Sequence, residues 1–155
     1  MDRRAFVGTA GCFLLASSLA ALAQQEGKIW RIGVLWPGSA SPPNSRIEAF
    51  RQGLRELGYV EGRNVEMVYR YAEGDYARLP ALAADLVRLK VEVILGAGAP
   101  AVSAAQKATT TIPIVIGTAG DPVGTGFARS LARPGGNITG LSDLSSDLGS
   151  KLLDL

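Results

Sequence analysis

Histidine is absent from the chain, and the one cysteine, Cys12, falls in an N-terminal stretch that reads as removable. Without histidine there is no Ser-His-Asp or Cys-His catalysis and no ordinary zinc site. Once Cys12 is removed, neither a disulfide nor a thiol nucleophile remains. Aromatic residues make up 6% and charged residues 19%, with a net charge of +2, so composition supplies no basic surface for nucleic acid. No G-x-x-x-x-G-K-[ST] is present, and Gly96-Ala97-Gly98 lacks the third glycine of the dinucleotide fingerprint, so neither phosphate signature is met. Glu61, Glu66, Glu73 and Asp75 cluster around one predicted strand while Asp121 stands apart, and no spacing pairs them for acid–base work. Carboxylates so placed read as solvated surface charges. No catalytic residue, cofactor or metal is expected.

The 155 residues are 47% hydrophobic with 19 glycines, the composition of one ordinary soluble domain. Residues 1–23 form a signal peptide: Asp2-Arg3-Arg4 is a positive n-region, Ala5 to Leu22 a small-residue apolar run, and Ala21-Leu22-Ala23 an A-x-A cleavage site before Gln24. Arg3-Arg4-Ala5-Phe6-Val7 resembles a twin-arginine export motif, with Asp2 and Gly8 departing from its usual flanks, so both the general and the twin-arginine routes stay open. Either one places the mature protein outside the cytoplasm, in the periplasm, with no stable membrane insertion after cleavage.

Strands and helices alternate from Lys28 onward. Lys28 to Trp36 reads as a strand whose centre is apolar on both faces. After the Pro37 to Pro43 loop, Ser45 and Glu48 form a capping box, and Ile47, Phe50, Leu54 and Leu57 mark one face of a helix that Gly58 stops. Asn64 to Tyr71 alternates less regularly, as a strand nearer the sheet edge would. Leu79, Leu82, Ala83, Leu86 and Leu89 mark a second helix, with Pro80 tolerated only in its first turn. Val91 to Leu95 is a buried strand, and Pro100 starts a third helix through Val102, Ala105 and Ala108.

The stretch Ile112 to Ser142 organises the rest. Its β-branched run Ile112 to Ile116 reads as a strand buried on both faces. Gly117 to Asp121 is a small polar loop, and Asp121-Pro122 suits the start of a fourth helix with Val123, Phe127 and Leu131 on one face. Arg133 to Asn137 breaks that helix before a last short strand, Ile138 to Leu141. Strict alternation with short connections implies an α/β fold with a three-layer, doubly wound parallel sheet and right-handed crossovers. In such sheets ligands bind outside the carboxyl ends of the strands.

The strings I-P-I-V-I, D-P-V-G and S-L-A-R-P-G-G-N-I-T-G, with L-A-A-D-L-V-R-L-K-V-E-V-I-L and A-Q-K-A-T further upstream, resemble the ABC-transporter substrate-binding protein family. The better-known members bind aromatic amino acids, and the likeness covers about everything after residue 28. It implies the type I periplasmic binding protein fold, two α/β lobes clamping a small-molecule solute for a permease and its ATPase. On that reading residues 28–142 are the N-terminal lobe, residues 143–155 begin the second lobe, and the rest of the second lobe is missing, so the chain is a fragment. The ligand edge implied for this lobe is Ser39, Ala40 and Ser41 after the first strand, Gly98 and Ala99 after the third, and Thr118 and Asp121 after the fourth. Backbone amides at the starts of the first, third and fourth helices suit a ligand carboxylate, and Asp121 suits either a ligand amine or a plain helix cap. Trp36 and Tyr71 are the candidates for stacking, with core packing as the alternative for each. Asn137 reads as a turn-shaping residue before the last strand.

Two functions follow from different classes. One is a non-enzymatic solute receptor of an importer, capturing a small organic solute such as an amino acid. The alternative is an exported enzyme on the same fold, since fold alone does not fix function. With one wall of the cleft, weak or no solute binding is expected of this chain alone, and Leu148, Leu152, Leu153 and Leu155 make self-association an expectation.

Overall fold

A computed structural model of the chain describes residues 28–41, 45–118, 120–130 and 132–141. The expected signal peptide, the residues after Leu141, and Leu131 of the expected fourth helix lie outside the described residues. Five strands form one sheet: β1 (Trp30–Trp36), β2 (Val65–Tyr71), β3 (Val93–Ala97), β4 (Ile114–Thr118) and β5 (Ile138–Gly140). Their order is β2-β1-β3-β4-β5, and every pairing is parallel. The less regularly patterned β2 is at an edge, as its sequence suggests.

Among the described residues three α-helices cover the sheet: α1 (Ser45–Glu56), α2 (Leu79–Arg88, entered through a 3₁₀ turn at Tyr76–Arg78) and α3 (Gly98–Ala108). The strands send alternate residues to opposite faces, so each face has its own core. Ile32 and Val34 of β1, Val65 and Met67 of β2 and Leu95 of β3 pack with Ile47, Phe50 and Leu54 of α1. Leu35, Ile94, Ile114 and Ile116 face the other way, against Leu79, Ala83 and Leu86 of α2 and Ala101, Val102 and Ala105 of α3. Helices on both faces make the three layers, and among the described residues α1 is the one helix on its side.

Helix ends account for the element boundaries. At the end of α1, Gly58 has φ +84° and donates to the Arg55 carbonyl (3.0 Å), while the Tyr59 N–H reaches the Leu54 carbonyl (2.8 Å). This is a Schellman cap, and glycine meets its left-handed position without strain. The end of α2 repeats the motif with Lys90 at φ 55°: its N–H reaches the Val87 carbonyl (3.0 Å), and Val91 N–H the Leu86 carbonyl (3.4 Å). Val91 is thereby engaged in the cap, and β3 starts at Val93 instead of at Val91. Thr109 similarly delays β4, because its hydroxyl accepts the N–H groups of Thr111 and Ile112.

The expected fourth helix does not form. Residues 122–126 are consecutive turns: Thr125 N–H bonds the Asp121 carbonyl (3.1 Å), Gly126 N–H the Val123 carbonyl (3.0 Å), and Ala128 N–H the Pro122 carbonyl (2.9 Å). Gly124 and Gly126 bracket Thr125, and two glycines so close cost helix propensity of about 1 kcal/mol each. Phe127 still joins the core on the α2 and α3 face of the sheet, whereas Val123 is exposed. The four-residue apolar spacing marked a packing anchor without a helix to carry it.

Candidate functional site

The winding reverses between β1 and β3. From β1 the chain runs through α1 on one face to β2, and from β2 through α2 on the opposite face to β3. A crevice therefore opens outside the carboxyl ends of β1 and β3, the usual ligand position in such sheets. The loop with Ser39, Ala40 and Ser41 rises from β1, and Gly98 and Ala99 follow β3, so those five residues flank the switch point. Thr118 ends β4 one strand further along, and Asp121 stands in the loop beyond it.

The loop after β1 is held by its neighbour. Ala72 N–H bonds the Trp36 carbonyl (2.9 Å), Glu73 N–H that of Gly38 (3.1 Å) and Gly74 N–H that of Pro37 (2.9 Å). Within it the Ser39 hydroxyl accepts the Ser41 N–H at 3.2 Å, and all three sequence-predicted residues here are exposed. At the start of α3, Ala97 is extended and offers no side-chain cap, while Gly98 takes φ +80°. Early amides of that helix thus have no side-chain acceptor, and the N-terminal dipole favours a negative group there. Asp121 behaves as a cap. Its Oδ1 accepts the Val123 N–H at 2.9 Å, and its carbonyl takes the Thr125 hydroxyl at 2.7 Å. The carboxylate thus serves the turn that replaces the fourth helix.

Close packing sets where α3 begins. A side chain on Gly96 would put its Cβ 2.9 Å from Val102 Cγ2 and 3.3 Å from the Val102 backbone. The β3–β4 register slips between Gly96 and Ala97, which pair with Ile116 and Thr118, leaving Gly117 as an extra residue. Bulges of this kind are common beside binding sites. At the far side, Gly140 has φ +141°, and a Cβ there would lie 2.5 Å from both N and O of Ile116. Only glycine lets β5 pair that closely with β4. Asn137 locks the same strand from below: its Nδ2 donates to the carbonyls of Ile112 (2.8 Å) and Thr109 (3.2 Å). The N-x-T-G string owes its asparagine to this tether, a turn-shaping role more specific than sequence reading assigned.

On the α1 face, just below the strand ends, lies an open cavity of about 370 Å³. Trp36, Phe50, Leu95 and Val115 are among its walls, and Arg46 is its one charged lining residue. None of the seven sequence-predicted ligand residues lines it, although Ala97 and Gly117, which do, immediately precede Gly98 and Thr118. Sequence reading placed Phe50 on the buried stripe of α1 and missed Arg46, Val115 and Gly117; no local signal marks them. Trp36 lies opposite Tyr71 in the β1–β2 register, and Tyr71 stacks on Tyr69 with centroids 5.9 Å apart and planes 9° apart. The Tyr69 hydroxyl accepts from Arg51 Nε at 2.8 Å. Burial raises the pKa of both tyrosines above the ordinary phenol value, so this aromatic row stays uncharged at neutral pH.

Away from the site, Arg70 Nε bonds Asp85 at 2.6 Å, and Arg88 pairs with the same carboxylate. The hydrogen bond from Arg70, chiefly, holds the Asp85 pKa below the usual carboxylate range. Among the described residues no cluster of histidine, cysteine or acidic side chains is arranged to hold a metal, and no helix is long and apolar enough to cross a membrane.

A doubly wound parallel sheet with polar loops gathered at its switch-point edge is the architecture of a solute-binding α/β lobe. The chain belongs to the ABC transporter substrate binding protein family, whose model matches residues 32–148. It is similar to a tyrosine-binding protein of Clostridioides difficile, 34% identical over 99 residues, which are 64% of this chain and 29% of that protein. Among solved structures it resembles the ligand-free, open form of a substrate binding protein with adhesive properties from Clostridium difficile, with TM-score 0.71 and 30% identity. That likeness covers 81% of this chain and 43% of the other. A Streptococcus pneumonia domain in complex with L-Trp matches with TM-score 0.69 and 29% identity over 75% of this chain and 39% of that one. The chain therefore spans less than half the length of these relatives.

Proposed function

We propose that this chain is the first of two lobes of an exported solute receptor, which captures a small carboxylate-bearing organic solute and hands it to a membrane permease driven by an ATPase. The relatives named for tyrosine and bound to L-Trp point to an amino acid. The carrying observation is the convergence of the Ser39–Ser41 loop and the uncapped start of α3 on the two sides of the switch point, in a chain of this family. The amides of α3 receive the carboxylate, the β1 loop offers hydroxyls, and Thr118 and Asp121 extend the same edge. Asp121 acts there by shaping its turn. Residues 1–23 direct export and are removed. Recognition by backbone amides and hydroxyls needs neither histidine nor cysteine, which fits a receptor better than an exported enzyme.

The test is amide-resolved NMR of the chain titrated with L-tyrosine, L-tryptophan, L-phenylalanine and simple organic acids. Saturable shifts at residues 39–41 and 98–101 are expected, at weak affinity because one lobe encloses little of a ligand. If none of these solutes moves any amide along the strand-end loops, the reading fails. N-terminal sequencing of periplasmic material should start at Gln24; retention of the full chain in the cytoplasm would remove the export half of the proposal.

A further inference from the structure

We propose that Glu73 is a positioning residue for the ligand edge: the left-handed turn it forms with Gly74 at the end of β2 clamps the β1 loop and holds Ser39–Ser41 in place before a solute arrives. The inference deepens the receptor reading and rests on it.

Backbone conformation carries it. Among the described residues Glu73 (φ 56°) and Lys90 (φ 55°) are the two non-glycine residues with positive φ. Lys90 is accounted for by its helix cap, whereas Glu73 follows a strand. With Gly74 at φ +83° and the Asp75 N–H on the Ala72 carbonyl (3.0 Å), residues 72–75 form a turn of the type I′ kind. Such turns ordinarily join the strands of an antiparallel hairpin and favour asparagine, aspartate or glycine at their first left-handed position. Here every pairing of the sheet is parallel, and a glutamate stands at that position. No hairpin explains the strain, and strain of this sort persists only where surrounding contacts enforce it. Those contacts are the amides of Ala72, Glu73 and Gly74, turned together onto the carbonyls of Trp36, Gly38 and Pro37. The turn is braced from the other side: Arg78 Nη1 donates to the Ala72 carbonyl at 3.3 Å, and Asp75 Oδ1 accepts the Ala77 N–H at 3.0 Å, capping the 3₁₀ turn. A Cβ on Gly38 would lie 3.0 Å from Trp36 Nε1, so the indole packs directly against the clamped backbone. A loop ordered in advance gives up less freedom on binding, which favours affinity.

The experiment uses the full chain, isotopically labelled, and reads amide hydrogen exchange, chemical shifts and a titration with L-tyrosine. Although Glu73 and Gly74 are exposed, their amides should exchange slowly in the parent chain. Glu73→Val puts a β-branched residue where φ is positive, which such residues hardly adopt. Exchange at residues 73 and 74 should then quicken about tenfold or more, and the amides of residues 38–41 and the Trp36 indole N–H should shift while those of α3 stay in place. L-Tyrosine should bind about fivefold more weakly, the cost of ordering one released side chain. Glu73→Asn, which suits the turn without the carboxylate, should restore slow exchange, loop shifts and affinity together. If Glu73→Val does not fold, Gly74→Ala takes its place: an added Cβ there meets nothing within 4 Å, so it tests the backbone conformation alone. Exchange and loop shifts unchanged in the variant would overturn the clamp. Shifts spread through β3 and α3 would make the turn an element of the fold only and overturn the positioning role. A released loop with unchanged affinity for L-tyrosine would overturn that role and leave the receptor reading standing. If neither L-tyrosine nor the other solutes move any strand-end amide of the parent chain, the receptor reading falls and the positioning role with it.

Discussion

Gly96→Ala tests how the sheet sets the start of α3 at its strand-end edge. The added Cβ would meet Val102 at 2.9 Å through a methyl and at 3.3 Å through the backbone. The methyl contact disappears if Val102 is shortened; the backbone contacts are relieved only by a retreat of α3. Val102 is fully buried, and α3 starts two residues after Gly96, so a retreat carries the first amides of the helix with it. Overpacking of this kind costs about 1–3 kcal/mol. Val102→Ala alone removes buried methyl groups and leaves a void, at roughly 2 kcal/mol. In the double variant the closest clash is gone and the new methyl occupies part of the void. The two losses should therefore fall short of their sum by about 1 kcal/mol or more, beyond the few tenths expected of independent sites. Urea unfolding of the four proteins, followed by far-ultraviolet circular dichroism, measures this directly, provided the slope with denaturant is unchanged. Additive losses would mean that α3 does not rest on Gly96, and the account of how its N-terminus is placed would be wrong.

Lys90→Gly should stabilise the chain by about 1 kcal/mol, because a left-handed conformation strains lysine and not glycine; a melting temperature that stays level or falls would contradict the cap at the end of α2. Asn137→Ala should cost about 1–3 kcal/mol by stranding the carbonyls of Thr109 and Ile112, and Asn137→Asp should be no milder, since it sets an oxygen against two oxygens; chemical denaturation at neutral pH reads both. Asp85 has a folded pKa below its unfolded value, so its contribution is present above the unfolded value and is lost as pH falls through the folded one. Asp85→Asn should therefore lower the urea midpoint at neutral pH and flatten its decline from about pH 4 downward; an acid limb of unchanged slope would show that the Arg70 contact does not carry the shift.

The order of strands and helices was legible because each element carries its own period and punctuation. Val34 and Leu35, or Ile94 and Leu95, declare a strand buried on both sides wherever they sit in the fold. Glycine and proline mark the breaks by the dihedral angles they allow. The fourth helix failed for a reason of the same local kind: Val123, Phe127 and Leu131 have helical spacing, but Gly124 and Gly126 stand between them. Burial of Phe127 satisfied the pattern through turns. Winding direction follows from the handedness of crossovers, so the switch point between β1 and β3 was legible from the alternation of elements.

The cavity was not legible, because it is defined by what fails to meet across the sheet. Phe50 and Val115 belong to elements far apart in sequence, and each satisfies its local pattern whether or not a helix covers the space between them. The slip that frees Gly117 belongs to the pairing of β3 with β4 and to neither strand alone. Arg46 reads as an exposed helix residue, and its interest comes from the apolar walls brought beside it. Residue type and spacing thus predict donors, caps and buried stripes, whereas a cavity emerges only when the layers are stacked.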